Sequence, residues 1–345
     1  MTLIYFVLIL GITVTIHEFG HFIFAKKAGI YVYEFSIGMG PLLKQFRRKN
    51  DETVYSLRLL PIGGYVQMAG EEVEADKNIP EEKTLQAKTW TQKFMTVIAG
   101  VMMNFIMAIV LLFVIALIEG APNTKPIIKA VEENTPASIA GIEIGDTITK
   151  INGKKVNSTD RLMLEIQVNT GKPLDLTLKK EDNTTKNISI KPLEIKQDEI
   201  TSYKYGFGID NTPEKGFFNA IQYAFVKTAS LVDQMAHIVG YLFTGKLSLN
   251  SLSGPVGIYN VVGETAKTGF INLVYLLAFI SINVGFINLL PIPAFDGGRL
   301  LFLIIEKIIK RPIDPKVENI IHSIFFLLLM ILMVVITYND IRRLF

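Results

Sequence analysis

The chain has 345 residues, half of them hydrophobic, with 35 Lys and Arg against 32 Asp and Glu. It is too apolar for an ordinary soluble enzyme and too charged to lie wholly within a bilayer, so it fits a membrane protein that carries a polar domain. A net charge of only +3, with the basic residues scattered through loops, argues against nucleic acid as a partner. The absence of cysteine removes thiol catalysis, disulfide staples and thiolate zinc sites, so any metal must be held by His, Asp or Glu.

Met1 to Ile16 lacks the basic flank and small-residue cleavage site of a signal peptide and reads as the start of a retained helix. Continued to Ala25 it gives about 25 residues, enough to cross a hydrocarbon core of about 30 Å. Further apolar runs over Phe94 to Ile118, Phe270 to Phe295 and Ile320 to Tyr338 bring the expected spans to four. Lys26, Lys27, Lys44, Arg47, Arg48 and Lys49 follow the first span, and Lys307, Lys310, Arg311 and Lys316 separate the third from the fourth. The positive-inside rule puts both loops in the cytosol and the termini and central segment outside, although Arg342 and Arg343 pull weakly the other way.

Within the first cytosolic loop, Thr53 to Leu60 and Tyr65 to Met68 alternate β-formers around Pro61, Gly63 and Gly64, which predicts a hairpin turning at those residues. Its apolar residues suit a hairpin that dips toward the membrane and keeps one edge open to another strand; a packed cytosolic hairpin is the plain alternative. Residues 124–196 change to short strands (Pro126 to Val131, Leu174 to Lys179, Asn187 to Ile190) and a helix from Asp160 to Val168. The stretch Thr135 to Gly153, with Gly145-Asp146 leading into Ile148, Ile151 and an Asn-Gly turn, resembles PDZ domains, which bind peptide ends by strand addition. Such a module could also serve as a spacer, the lesser alternative. Phe217 to Phe243 carries an apolar stripe (Phe217, Ile221, Phe225, Val232, Met235, Val239, Leu242) and reads as an interfacial helix, with His237 off the stripe and not a ligand. Ser253 to Gly257 reads as a loop.

His17-Glu18-Phe19-Gly20-His21 places two imidazoles one turn apart on a helix, where they can share one zinc, with Glu18 as the candidate general base. A charged residue at mid-span costs about 2.5–3.5 kcal/mol on insertion scales, which favours function over these residues serving only as hydrogen-bonding glue between helices. A catalytic zinc takes three protein ligands and keeps a position for water. Of the remaining candidates, His322 starts the last span and reads as an interfacial residue. Asp296 ends the run Asn288-Leu-Leu-Pro-Ile-Pro-Ala-Phe-Asp-Gly-Gly298, where the prolines break the helix and the glycines let the backbone turn, so a carboxylate can be presented at membrane depth. A helix-end carboxylate at the cytosolic surface is the alternative.

These motifs together resemble the site-2 protease family of intramembrane zinc metalloproteases, in its bacterial branch with one PDZ insertion. The resemblance rests on the HExxH, Gly100-Val-Met-Met-Asn104, the Asn288 to Gly298 motif, the hairpin, the PDZ-like stretch and Ser253 to Gly257. Phe295 departs from the leucine usual before the family's Asp-Gly pair. The resemblance implies zinc on His17, His21 and Asp296, Glu18 as the base, and Asn104 and Asn288 as substrate-binding residues. The hairpin edge, at Gly64, Tyr65 and Val66, is the expected pairing surface for an unwound substrate. It implies a polytopic α-helical membrane protein of the plasma (inner) membrane with four transmembrane helices, a membrane-associated β-hairpin and an inserted α/β PDZ domain. Expected boundaries are 1–121 for the N-terminal membrane core, 122–198 for the extracytoplasmic PDZ domain, 199–268 for a linker with the interfacial helix, and 269–345 for the C-terminal core. The implied substrates are single-span membrane proteins in the lipid bilayer, such as pre-cleaved anti-sigma factors or remnant signal peptides, cut toward the cytosolic side. A non-catalytic membrane scaffold using its PDZ module is the rival of another class; it predicts no bound zinc.

Overall fold

The computed structural model describes residues 1–71, 79–197 and 200–343. The chain divides into two units, residues 1–111 with 249–345 and residues 112–248. Among the described residues four helices are long and apolar enough to cross a membrane.

In the first unit, helix α1 (Thr2–Lys27) closes where Gly29, at φ +68°, takes the left-handed conformation open to glycine. Gly29 N–H donates to the Lys26 carbonyl and Ile30 N–H to that of Ala25, which satisfies the helix's last acceptors. Two long strands follow, β1 (Val32–Arg47) and β2 (Val54–Met68). The expected turn at Pro61–Gly64 is corrected here: both arms assigned to a hairpin belong to β2, and the partner is β1. Each strand is bent, so 32–37 pairs with 64–68 on one side and lies beside 54–57 on the other, while 44–47 pairs with 54–57. Gly38, Gly40 and Pro41 look like loop residues, yet they make the bend; a Cβ on Gly38 would stand 2.7 Å from the Leu60 carbonyl oxygen. The segment 64–68 is therefore an edge. The bend at Pro61 packs on α1, where the Pro61 carbonyl oxygen would lie 2.2 Å from a Cβ on Gly11, near the middle of that helix. Around the bend Met39, Leu43, Leu59 and Leu60 are exposed.

Helix α2 (Trp90–Glu119) crosses α1 with the backbones touching: a Cβ on Gly20 would meet the Ala99 carbonyl oxygen at 2.3 Å. Small residues permit that approach.

The second unit begins within the last turns of α2. Its elements are β3 (Ala121–Pro122), β4 (Ile128–Val131), α3 (Pro136–Ile139), β5 (Thr147–Ile151), β6 (Lys154–Lys155), α4 (Thr159–Val168), β7 (Leu174–Lys179), β8 (Thr185–Ile190), β9 (Leu193–Gln197), β10 (Ile200–Lys204), β11 (Phe207–Ile209), β12 (Pro213–Glu214) and α5 (Phe217–Phe243). The main sheet is antiparallel in the order β6-β5-β7-β8. Asn152 and Gly153, both at positive φ, form the two-residue turn between β5 and β6 that the Asn-Gly pair predicts. Ile148, Ile151, Leu162, Leu174, Leu176 and Leu178 fill the core. β11 pairs with β4 and β12 with β3, so residues 207–214 add to the strands of this unit, and the boundary expected at 198/199 lies outside the described residues. Helix α5 docks on α4, where Lys227 Nζ lies 2.6 Å from Asp160 Oδ1 and Ser230 donates to Asp160 Oδ2. Phe218, Phe225 and Phe243 stay exposed on α5, and His237 Nδ1 bonds within its own helix, to the Asp233 carbonyl.

The first unit resumes with α6 (Pro255–Thr268), α7 (Phe270–Leu289), α8 (Asp296–Ile309) and α9 (Pro315–Arg342). Ser253–Gly257 is a loop only as far as Gly254, because Pro255 starts α6, as suits a proline at the first helical position. Asp340 Oδ2 of α9 accepts from Gly257 N–H at 2.8 Å and caps that helix. The apolar run to Phe295 is also not one helix. α7 stops at Leu289, before Pro291 and Pro293, and Asp296 opens α8 rather than ending α7.

Candidate metal centre

His17 and His21 lie one turn apart on α1 and are buried against α2 and the start of α8. Asp296 Oδ2 is 2.9 Å from His17 Nε2 and 3.2 Å from His21 Nε2, and the two Nε2 atoms are 3.2 Å apart. Nitrogens and oxygens at about 2.0–2.2 Å from a tetrahedral zinc stand at about this separation from one another. His21 Nδ1–H donates to the Thr96 carbonyl at 2.8 Å, an acceptor only, so its Nε2 keeps a lone pair for a metal. Asp296 Oδ2 is buried without a hydrogen-bond partner. An orphaned carboxylate oxygen facing imidazole nitrogens is the donor set a zinc ion satisfies, so the residues fit the metal.

Glycines make room for this cluster. A Cβ on Gly100 would stand 2.4 Å from His21 Nε2 and 2.8 Å from His17 Nε2, so the rings occupy the space a side chain would fill. Cβ atoms on Gly297 and Gly298 would meet the carbonyl oxygens of Leu290 at 2.1 Å and Ile292 at 2.6 Å, which is how the start of α8 folds tightly onto the end of α7. Between them Ala294 sits at φ +103°, a conformation that costs a non-glycine residue of order 1–3 kcal/mol.

Glu18 lines the same cavity, of about 320 Å³, together with Val66, Met68, Asn288 and His322. Its Oε2 accepts the Val66 N–H at 3.1 Å, which ties the candidate base to the edge segment of β2. Since Val66 turns its N–H outward, Gly64, two residues back, faces the same way, whereas Tyr65 between them turns its backbone groups toward its partner Ser36 in β1, and its hydroxyl separately donates to Glu34 Oε2 at 2.7 Å. Asn104 is fully buried with its amide 3.3 Å from His17 Nδ1, while Asn288 lines the cavity. The orientation that leaves His17 Nε2 free for metal puts Asn104 Oδ1, otherwise without a partner among the described residues, on Nδ1–H, while Ser281 of α7 donates to the Asn104 backbone carbonyl at 2.8 Å. His237 is absent from the lining.

Sequence reasoning missed four residues around the site. Thr96 acts through its backbone and leaves no residue-type signal. Arg299 and Glu71 form an ion pair on the wall shared with an adjoining cavity of about 510 Å³, which Lys93 and Glu306 also line. His322 also lines both cavities. A polar side chain at the head of an apolar span was the available signal for it.

A helix-borne His pair, a carboxylate from a second segment and an acid beside them, set among helices fit to cross a bilayer, define a membrane-embedded metal-dependent hydrolase. The model of Peptidase family M50 matches residues 5–332. The chain is similar over its whole length to the regulator of sigma-W protease RasP of Bacillus subtilis (strain 168), at 35% identity covering 100% of this chain and 99% of that one. It is similar over the same shares to the zinc metalloproteases RasP of Shouchella clausii, at 34%, and Bacillus licheniformis, at 35%. The chain belongs to Peptidase family M50: it is a multi-pass intramembrane zinc metalloprotease. The alignments run to 421 positions against the 345 residues here, so these relatives carry inserted residues that this chain lacks.

Proposed function

We propose that the protein hydrolyses a peptide bond in the transmembrane segment of single-span membrane proteins, with zinc held by His17, His21 and Asp296 and with Glu18 as general base. The convergence of those three ligand atoms within about 3 Å of one another, beside Glu18, carries the reading. Bound zinc supplies a Lewis acid that polarises the scissile carbonyl and makes water acidic enough to lose a proton near neutral pH. Glu18 takes that proton and returns one to the leaving amine. Asn104 and the Thr96 carbonyl hold the two imidazoles by their far nitrogens.

A substrate helix hides its carbonyls in its own hydrogen bonds and must unwind to be cut. The 64–68 edge of β2 offers the freed backbone a strand to pair with, using the outward groups of Gly64 and the Val66 carbonyl, while Asn288 bonds a further substrate group from the cavity wall. The exposed leucines and methionine at the bend, and its contact with the middle of α1, support a β-ribbon that lies in the bilayer. Lys26 and Lys27 at the end of α1, and the basic residues between α7 and α9, support a cytosolic position for the site in the plasma membrane. The 112–248 unit we read as an extracytoplasmic PDZ module that screens substrates by size or by a newly made end. The sigma-factor regulation in the B. subtilis relative's name supports a membrane-anchored sigma-factor antagonist as the substrate class.

Because the chain has no cysteine, the edge can be probed directly. In a Glu18→Gln background, Tyr65→Cys and Gln67→Cys should each form disulfides with every second position of a single-span substrate near its cleavage site. Crosslinks lacking that alternation, or none at all, would remove strand pairing from the account.

A further inference from the structure

Asp296 is presented by irregular backbone, and its tightest point is Ala294. Among the described residues, the other non-glycine residues at positive φ are four asparagines and a lysine at a helix end. Asparagine tolerates that region by local hydrogen bonding, and alanine has no such means. What holds Ala294 therefore comes from outside the turn, and the structure supplies it from α9, where His322 Nδ1 accepts the Ala294 N–H at 3.0 Å. An amide can only donate, so Nδ1 carries the lone pair and the ring proton sits on Nε2. That Nε2 has no hydrogen-bond partner, with Glu318 Oε1 at 3.6 Å, so the ring's one hydrogen bond is spent on this turn. Phe302 of α8 packs on the ring with centroids 5.6 Å apart. Two residues on from Ala294, the chain places Asp296 Oδ2 against His17 and His21.

We propose that His322 is a positioning residue of the metal centre: by accepting the Ala294 amide proton it holds the strained turn from which Asp296 reaches the metal. The inference rests on Asp296 being a zinc ligand. It gives α9 a part in the site although α9 supplies no ligand, and it makes the acceptor at position 322, rather than imidazole as such, the functional requirement. Asparagine can present Oδ1 where Nδ1 stands; leucine fills similar space and offers no acceptor.

The test uses the full chain purified in detergent, with zinc affinity measured by chelator competition and the visible absorption of the Co²⁺-substituted protein as a report on ligand geometry. His322→Leu should weaken zinc by about 10–100-fold, the usual cost of losing a partner that orients a ligand, and should alter the Co²⁺ spectrum. His322→Asn should restore both toward wild type. In an Ala294→Gly background, where the turn no longer needs holding, His322→Leu should lose less zinc affinity than in the native background. Wild-type affinity in His322→Leu, no rescue by asparagine, or the same loss in both backgrounds would each overturn the proposal. Asp296→Ala separates the two layers. If it keeps zinc, the ligand reading fails and the proposal with it; if it loses zinc while His322→Leu does not, only the role of His322 fails.

Discussion

Each unit of the molecule buries a cluster of charged side chains, and the two clusters end differently. In the 112–248 unit Glu165 is wholly buried, with Arg161 Nη2 at 2.6 Å from Oε1, Lys154 Nζ at 3.1 Å from Oε2, and the Tyr241 hydroxyl donating to the same carboxylate. Both oxygens are satisfied, and the cluster fastens α5 to α4. In the membrane unit Asp296 Oδ2, His17 Nε2 and His21 Nε2 face one another without a hydrogen bond to the carboxylate, beside an open cavity. Burial of charge is costly in both places. What distinguishes the two is the carboxylate: Glu165 has both oxygens paired with cations, whereas Asp296 Oδ2 meets only imidazole nitrogens, a donor set that a zinc ion would satisfy.

That difference can be broken by exchanging the defects. Asp296→Asn should reduce zinc to background and abolish cleavage, while thermal unfolding of the apo protein stays at or above that of the zinc-free wild type, since site residues are commonly kept at a cost in stability. Glu165→Leu should do the reverse, leaving zinc stoichiometry intact while lowering stability by about 3–5 kcal/mol, because two cations lose their buried partner. If either substitution produced the other's phenotype, the distinction would collapse.

Smaller effects sharpen the same point. Gly100→Ala puts a methyl group 2.4 Å from His21 Nε2, so both rings must shift. Zinc affinity should fall by about 10–100-fold in chelator competition, as when a ligand's orienting shell is disturbed. Val66→Pro removes the N–H that meets Glu18 and an outward donor of the edge. Cleavage of a membrane substrate should fall with zinc retained; loss of zinc in this variant would show that the edge supports the metal rather than the substrate.

How much of this could be read beforehand depended on distance along the chain. His17, Glu18 and His21 are one helical turn, and the Asn152-Gly153 turn between β5 and β6 is set by two adjacent residues, so local spacing and residue type sufficed for both. The β1–β2 ribbon was half legible. β2 was split at Pro61–Gly64 because those residues punctuate, and β1 was hidden by Gly38, Gly40 and Pro41, whose bends make sense only once the pairing of 32–37 with 64–68 is seen. The apolar run from Phe270 to Phe295 concealed the end of α7, since Leu289 to Phe295 stays hydrophobic after the helix has stopped. Asp296 was reachable through resemblance and through the Pro and Gly residues around it. His322 offered only its polar character at the head of an apolar span; its role in the turn was hidden, because its partner is an ordinary alanine whose need for support exists only in the folded turn.

Glu18 acting beside a resident zinc is the central claim, and one measurement meets it directly. Wild type and Glu18→Gln are co-expressed with a tagged single-span substrate, and cleavage and bound zinc are measured in the same preparations. Cleavage should fall by about 10²–10⁴-fold in Glu18→Gln, the range for losing a general base, with one zinc per chain retained in both. Cleavage that persists in Glu18→Gln with zinc still bound would contradict the account.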